Sequence, residues 1–223
     1  MNYYTINVTS AKEVIGNDPQ TLIEPNNAYN PNLPEHYWNV RYYSFPNFEP
    51  KLRLVMNKKS IQTDCIYGNT VPFGMIINNR FKEILKQHHL PPYRFYPIDV
   101  YQKGEKLVYY WFHYITTNFL DWVDKDASSV LIRPVTPGKR HEVLGSFDLK
   151  ASYDERIANT NNLPFMSDLY WEKLKFNNQF PEYDIFYTND LKWLTLISED
   201  LKKALESSGI TGLEYTLFDK IVS

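Results

Sequence analysis

Four aspartates, Asp64, Asp99, Asp184 and Asp219, are the side chains here whose type and spacing could support chemistry. They fall as two equally spaced pairs, and paired carboxylates are what acid–base catalysis or a hard cation requires. The competing reading is structural, since aspartate often accepts hydrogen bonds from backbone N–H groups at turns and strand ends. The structural reading is favoured, because an enzyme seldom needs its reacting group twice at equivalent places. His88 and His89 are adjacent, so they cannot share a helical face as paired metal ligands do; a place at a helix C-terminus suits them better than zinc. Cys65 reads as a small buried hydrophobe and His113, inside an aromatic run, as a satisfied core histidine. Gly138-Lys139 lacks the upstream glycine and following hydroxyl of a phosphate loop, and Gly145-Ser146 lacks the second glycine of a nucleophile elbow. These residues imply no catalytic, cofactor or metal site.

The aspartates bracket a stretch that occurs twice. Residues 64–99 and 184–219 align without a gap. Seven pairs are identical: Asp64/Asp184, Tyr67/Tyr187, Asn69/Asn189, Ile77/Ile197, Lys82/Lys202, Leu85/Leu205 and Asp99/Asp219. Ordinary residue frequencies would give about two. Apolar positions keep register as well, as in Phe73/Trp193, Ile76/Leu196, Phe81/Leu201 and Phe95/Tyr215. In each span a short apolar strand leads to an N-cap residue, Asn78 or Ser198. A helix follows with apolar residues at i, i+3 and i+4, namely Phe81, Ile84, Leu85 and Leu201, Ala204, Leu205. Pro91 and Pro92 stop the first helix and Gly209 the second. An alternating strand closes each unit, Tyr93 to Val100 or Leu213 to Phe218. Cys65 aligns with Ile185, and His88-His89 with Ser208-Gly209 at a helix end.

The rest of the chain frames these units. Tyr3 to Val8 alternates as a first strand. From Thr9 to Pro50, Asn and Pro punctuate the run, yet Tyr29, Tyr37, Trp38, Tyr42, Tyr43, Phe45 and Phe48 are too aromatic for a solvated linker, so this arm is expected to pack on the body. Lys51 to Met56 is a strand. A turn at Gln102 to Glu105 joins two strands, the second of which, KLVYYWFHYI, is aromatic on both faces and should be central. An Asp-rich turn follows at 119–128, then a strand VLIR, an alternating run from Glu142 to Lys150, and a polar loop at 151–164. Ser167 to Phe176 is expected as a short helix capped by Ser167 or Asp168. The fold expected is α+β: mixed or antiparallel sheets built from two duplicated strand–helix–strand units, an aromatic central hairpin and an irregular N-terminal arm. The arm covers 1–50, a first lobe 51–130 and a second lobe 131–223, all in one compact domain.

With 43% apolar residues the 223-residue chain can bury an ordinary core. The longest apolar run, Leu107 to Ile115, is far shorter than the roughly 20 residues of a spanning helix. A leader is not visible at the N-terminus, and a single cysteine makes no internal disulfide, so a reduced cytoplasmic setting is expected. The net charge of −2 divides unevenly, +5 over residues 51–100 and −5 over 151–223. The simpler account is lobes that attract or merely differ; the other is a charged partner surface. A pI near 6.2, without a basic stripe interleaved with aromatics, argues against nucleic acid.

The order of the pieces carries a resemblance. GMIINNRFKEILKQHH, PYRFYPIDV, LVYYWFHY running into FLDWVDKDASS, and YDIFY followed by LISEDLKKALESSGITGLEYTLF together resemble the bacterial immunity-protein family numbered eleven, also known as domain of unknown function 1629. Ser198-Glu199, Gly209, Gly212, Tyr96-Pro97, Asp124 and Ser128 match its pattern, and the similarity covers residues 50 to 219. Asn78-Asn79 departs from it, standing where a first Ser-Glu is expected. The resemblance implies a protein, encoded beside a polymorphic toxin, that binds and neutralises that toxin by occlusion. It implies no catalytic residues. The alternatives are an enzyme of unrecognised class using the four aspartates, and a peptide- or protein-binding scaffold. For the toxin reading the acidic loop residues Asp121, Asp124, Asp126, Asp154, Glu155 and Glu182 are the expected contact surface, with no cofactor, nucleic acid or membrane involved.

Overall fold

The computed structural model describes residues 2–23, 32–66, 71–117, 119–134, 145–148, 167–188 and 193–222. The fold is α+β, with three sheets among the described residues. The first sheet has five strands: β2 (Thr21–Ile23), β3 (Arg53–Met56), β5 (Tyr93–Gln102), β6 (Glu105–Tyr114) and β4 (Met75–Asn78), in that spatial order. Only the β3–β5 pair in it is parallel, so the sheet is mixed. The second is antiparallel, β10 (Ile185–Tyr187), β11 (Thr195–Ser198), β1 (Tyr3–Val8) and β12 (Leu213–Leu217). The third places β7 (Ser129–Pro134) between β8 (Gly145–Asp148) and β9 (Ser167–Lys173). Among the described residues the helices are α1 (Lys12–Ile15), α2 (Asn79–Leu85) and α3 (Glu199–Ser207).

Burial explains the composition of the strands. β6 lies between β5 and β4, and Trp111, Phe112, His113 and Tyr114 are all buried, which requires cover on both faces. β10 is buried at every position; its Ile185 and Tyr187 face the larger core, while Phe186 faces a smaller one with Tyr3, Phe119, Trp171 and Leu196. The larger core joins Ile76, Ile77, Phe81 and Leu85 to Ile197, Leu201 and Leu205, so the helices of both halves pack into one interior.

β4, α2 and β5 run in the same order as β11, α3 and β12, and each set holds a third strand in its middle. Ile77 and Pro97 both stand opposite Tyr110 of β6, and Ile197 and Leu217 both stand opposite Tyr4 of β1. Lys82 Nζ lies 3.6 Å from the Tyr110 ring and 5.5 Å from Phe95; Lys202 Nζ lies 4.9 Å from Tyr4 and 5.6 Å from Tyr215. Both helices start the same way, with Asn78 Oδ1 accepting from Phe81 N and Ser198 Oγ from Leu201 N, each at 3.1 Å. Gly209, at φ 62, follows the Ser208 C-cap and turns the chain toward β12.

The segment expected as a helix over Ser167 to Phe176 is instead β9, paired with β7. Pairing with β7 decides it: Leu131 stands opposite Tyr170 and Val130 opposite Trp171, whose ring is buried in the smaller core. The hydrogen bonds that β7 offers outweigh a helical spacing only ten residues long. The polar loop at 151–164 lies outside the described residues.

Candidate partner-binding surfaces

The four aspartates separate into two kinds. Asp64, 6% exposed, sits beside the bridge that pairs Cys65 with Ile77 of β4 and accepts from Thr211 N at 2.8 Å, Thr211 Oγ1 at 2.7 Å, Asn78 Nδ2 at 2.8 Å and the Arg80 guanidinium at 2.7 and 3.0 Å. Burial alone would raise its pKa, but these donors outweigh it and hold the carboxyl below its usual range. Asp184 accepts from His89 N at 2.8 Å and the Ser198 hydroxyl, with His88 Nδ1 at 3.2 Å. Thr211 lies just after α3 and His89 just after α2, so each aspartate holds the turn that ends the other half's helix. Backbone bonds repeat the exchange, Cys65 N to the Thr211 carbonyl at 3.1 Å and Asp184 N to the His89 carbonyl at 2.8 Å. The other two aspartates are surface groups, Asp99 beside Lys106 and Asp219 beside Lys220.

The remaining titratable candidates are interior. The Cys65 thiol is fully buried, which pushes its pKa up and leaves it inert. His113 is fully buried too, but neither ring nitrogen makes a well-formed hydrogen bond, so it is a core histidine without the expected satisfaction. It is held by rings instead, with Phe73 at 4.9 Å, Phe45 at 5.0 Å and Trp111 at 5.9 Å. Burial pushes its pKa down to about 4, and the nearby Arg41 backbone offsets only part of this. Among the described residues, no three His, Cys, Asp or Glu side chains are grouped to hold a metal ion.

Of the acidic loop residues, Asp121 and Asp124 line an open recess of about 480 Å³ with Leu120, Lys125, Asn177 and Gln179. Asp124 also accepts from Asp126 N and Ala127 N, both at 3.2 Å, which shapes the turn between the 119–122 turn of 3-10 helix and β7. Asp126 is exposed beside it. Glu182, at φ 53, borders a neighbouring recess that shares Asn177. The fold thus brings Asp121 and Asp124 to one recess and Glu182 to its neighbour, with Asp126 exposed on the turn beside Asp124, while Asp154 and Glu155 lie outside the described residues.

A second surface was not anticipated. Trp38, Val40, Arg41, Tyr42, Tyr43, Pro72, Phe73 and Trp193 line a groove of about 400 Å³. Its walls are exposed aromatics, Trp38 at 57%, Tyr43 at 54%, Trp193 at 43% and Tyr42 at 36%, over a floor of buried Val40 and Phe73. Tyr42 stands edge-on to Tyr43 at 5.1 Å and to Trp193 at 5.0 Å. Trp193 packs at 5.1 Å on Tyr187, which stacks on Tyr114 at 4.2 Å and accepts a hydrogen bond from Gly74 N. Gly74, at φ 75, is obligatory there, since a Cβ would lie 2.1 Å from the Phe112 carbonyl oxygen. Phe73 and Trp193 occupy equivalent places in the two aligned stretches, so the groove forms where their loops meet the N-terminal arm. The run Arg41-Tyr42-Tyr43 was the available signal, because so short a loop cannot bury three large side chains together.

No curated protein matches the chain. The pattern of the immunity protein family (Imm11) matches residues 2–220, a wider span than the motifs alone cover. With that match over nearly its whole length, the chain belongs to the immunity protein family Imm11.

Proposed function

We propose that this protein neutralises a cognate bacterial toxin by binding it and occluding its working surface, in the cytoplasm of the cell that carries both. Family membership over residues 2–220 is the observation that carries this reading. The geometry supports it in a second way: Asp64 and Asp184 are committed to bonds between the two halves, and Cys65 and His113 are buried, so these groups are spent on structure. In the proposed complex Asp121, Asp124, Asp126 and Glu182, with Asp154 and Glu155, form an acidic rim that steers a complementary partner. The scaffold is two copies of one strand–helix–strand unit within a single domain, supported by the shared register around Tyr110 and Tyr4.

The test is co-expression with the toxin encoded beside this gene. The expected outcome is rescued growth and a complex that survives purification. A toxin that still kills and does not co-purify would refute the reading. Asp99→Asn and Asp219→Asn are expected to leave rescue intact; its loss without loss of folding or binding would return an enzyme to consideration.

A further inference from the structure

We propose that the aromatic groove between the N-terminal arm and Trp193 is the anchoring site for the toxin, and that it takes an apolar side chain flanked by a carboxylate. This rests on the neutralisation reading above and names the surface and chemistry through which it works.

Four large aromatics exposed side by side are unusual on a soluble surface, and Trp, Tyr and Arg are the residues that dominate binding at protein interfaces. The rings are also held in place before any partner arrives. Tyr42 is braced by Trp193, Trp193 by Tyr187, and Tyr187 by Tyr114 and Gly74, so little side-chain freedom is lost on binding. The buried floor of Val40 and Phe73 gives an inserted side chain a dry seat. Its charge then selects the neighbour of that side chain. Arg41 is the one charged residue among the described residues lining the groove. It donates from Nη1 to the Trp38 carbonyl at 2.9 Å, which orients a five-donor fork suited to a carboxylate. A second copy of the chain fits less well, because a two-fold contact through this groove would bring two Arg41 guanidinium groups together. The acidic rim and the groove then divide the work: the rim sets how fast the toxin arrives, the groove how long it stays.

The experiment measures toxin binding by surface plasmon resonance for the full chain and for Trp193→Ala, Tyr43→Ala, Arg41→Glu and Trp193→Phe, with thermal melts alongside. Trp193→Ala, Tyr43→Ala and Arg41→Glu are expected to bind about tenfold or more weakly, mainly through faster dissociation, and Trp193→Phe to retain most of the affinity. Should Trp193→Ala melt early, Tyr43→Ala, at a residue more than half exposed, carries the decision. Parent-like affinity in Tyr43→Ala and Arg41→Glu overturns the groove while leaving neutralisation standing. A dimer of the chain alone that Trp193→Ala dissolves also overturns it, by making a second copy the occupant. Failure of the unmodified chain to bind the toxin removes the neutralisation reading and this inference with it.

Discussion

Asp64 shows how a residue that looks catalytic is used for architecture. Its carboxylate receives hydrogen bonds from both halves, and the Arg80 Nη2 that binds it also donates to the Gly209 carbonyl at 2.7 Å. Asp64→Ala should cost about 2 kcal/mol, less than a fully buried pair because Arg80 is half exposed, as read by urea unfolding. The pKa of Asp64 is lowered in the folded state, so its contribution is complete above its unfolded value near 4 and is lost as pH falls below it. His113 titrates in another window. Its folded pKa of about 4 lies below its unfolded 6.5, so the unfolded chain takes up the proton first. Stability is complete above pH 6.5, declines as pH falls toward 4, and is level below. The gap corresponds to about 3 kcal/mol. His113→Phe keeps a ring among Phe73, Phe45 and Trp111 and removes the proton; the unfolding free energy should then change little between pH 7 and pH 4.5. An unaltered pH profile in that variant would refute the assignment.

Among the elements, the helix starts give the most direct measure of whether the two units are equivalent. Asn78 and Ser198 each cap a helix and each donate a side-chain hydrogen bond to the aspartate of their own unit. Asn78→Ala and Ser198→Ala should therefore each destabilise the fold by about 1 to 2 kcal/mol. A cost confined to one of them would count against equivalence. β9 carries the opposite lesson. Ser167 and Asp168 are good helix caps in isolation, but β7 supplies a pairing edge from nearly forty residues away, and Trp171 enters a core already made by Phe119 and Leu174.

For the whole molecule, each helix-ending turn is held by the other half's aspartate, and α2 and α3 bury residues in the same core. The molecule's charge bears on association rather than on fold. Charge reversal at Asp124 and Asp126 should slow toxin association several-fold at low salt and flatten its dependence on ionic strength, with little change in dissociation. Stopped-flow association at two salt concentrations checks this, and an unaltered salt slope would exclude these residues from steering.

The local pattern was legible because it is written in nearest-neighbour chemistry. Caps at Asn78 and Ser198, breakers at Pro91 and Gly209, and alternation in β5, β6 and β12 all act within a few residues, and the matched spacing of the two stretches made their likeness readable in one dimension. The tertiary structure alone decided which groups meet. That Asp64 reaches Thr211 and Asp184 reaches His89, that β1 lies between β11 and β12, and that Arg41, Tyr42 and Tyr43 face Trp193 across a groove are contacts between residues far apart in sequence. Periodicity reports that a side chain is apolar and on one face; only the packing of the other elements determines whether that face is covered or left open to a partner.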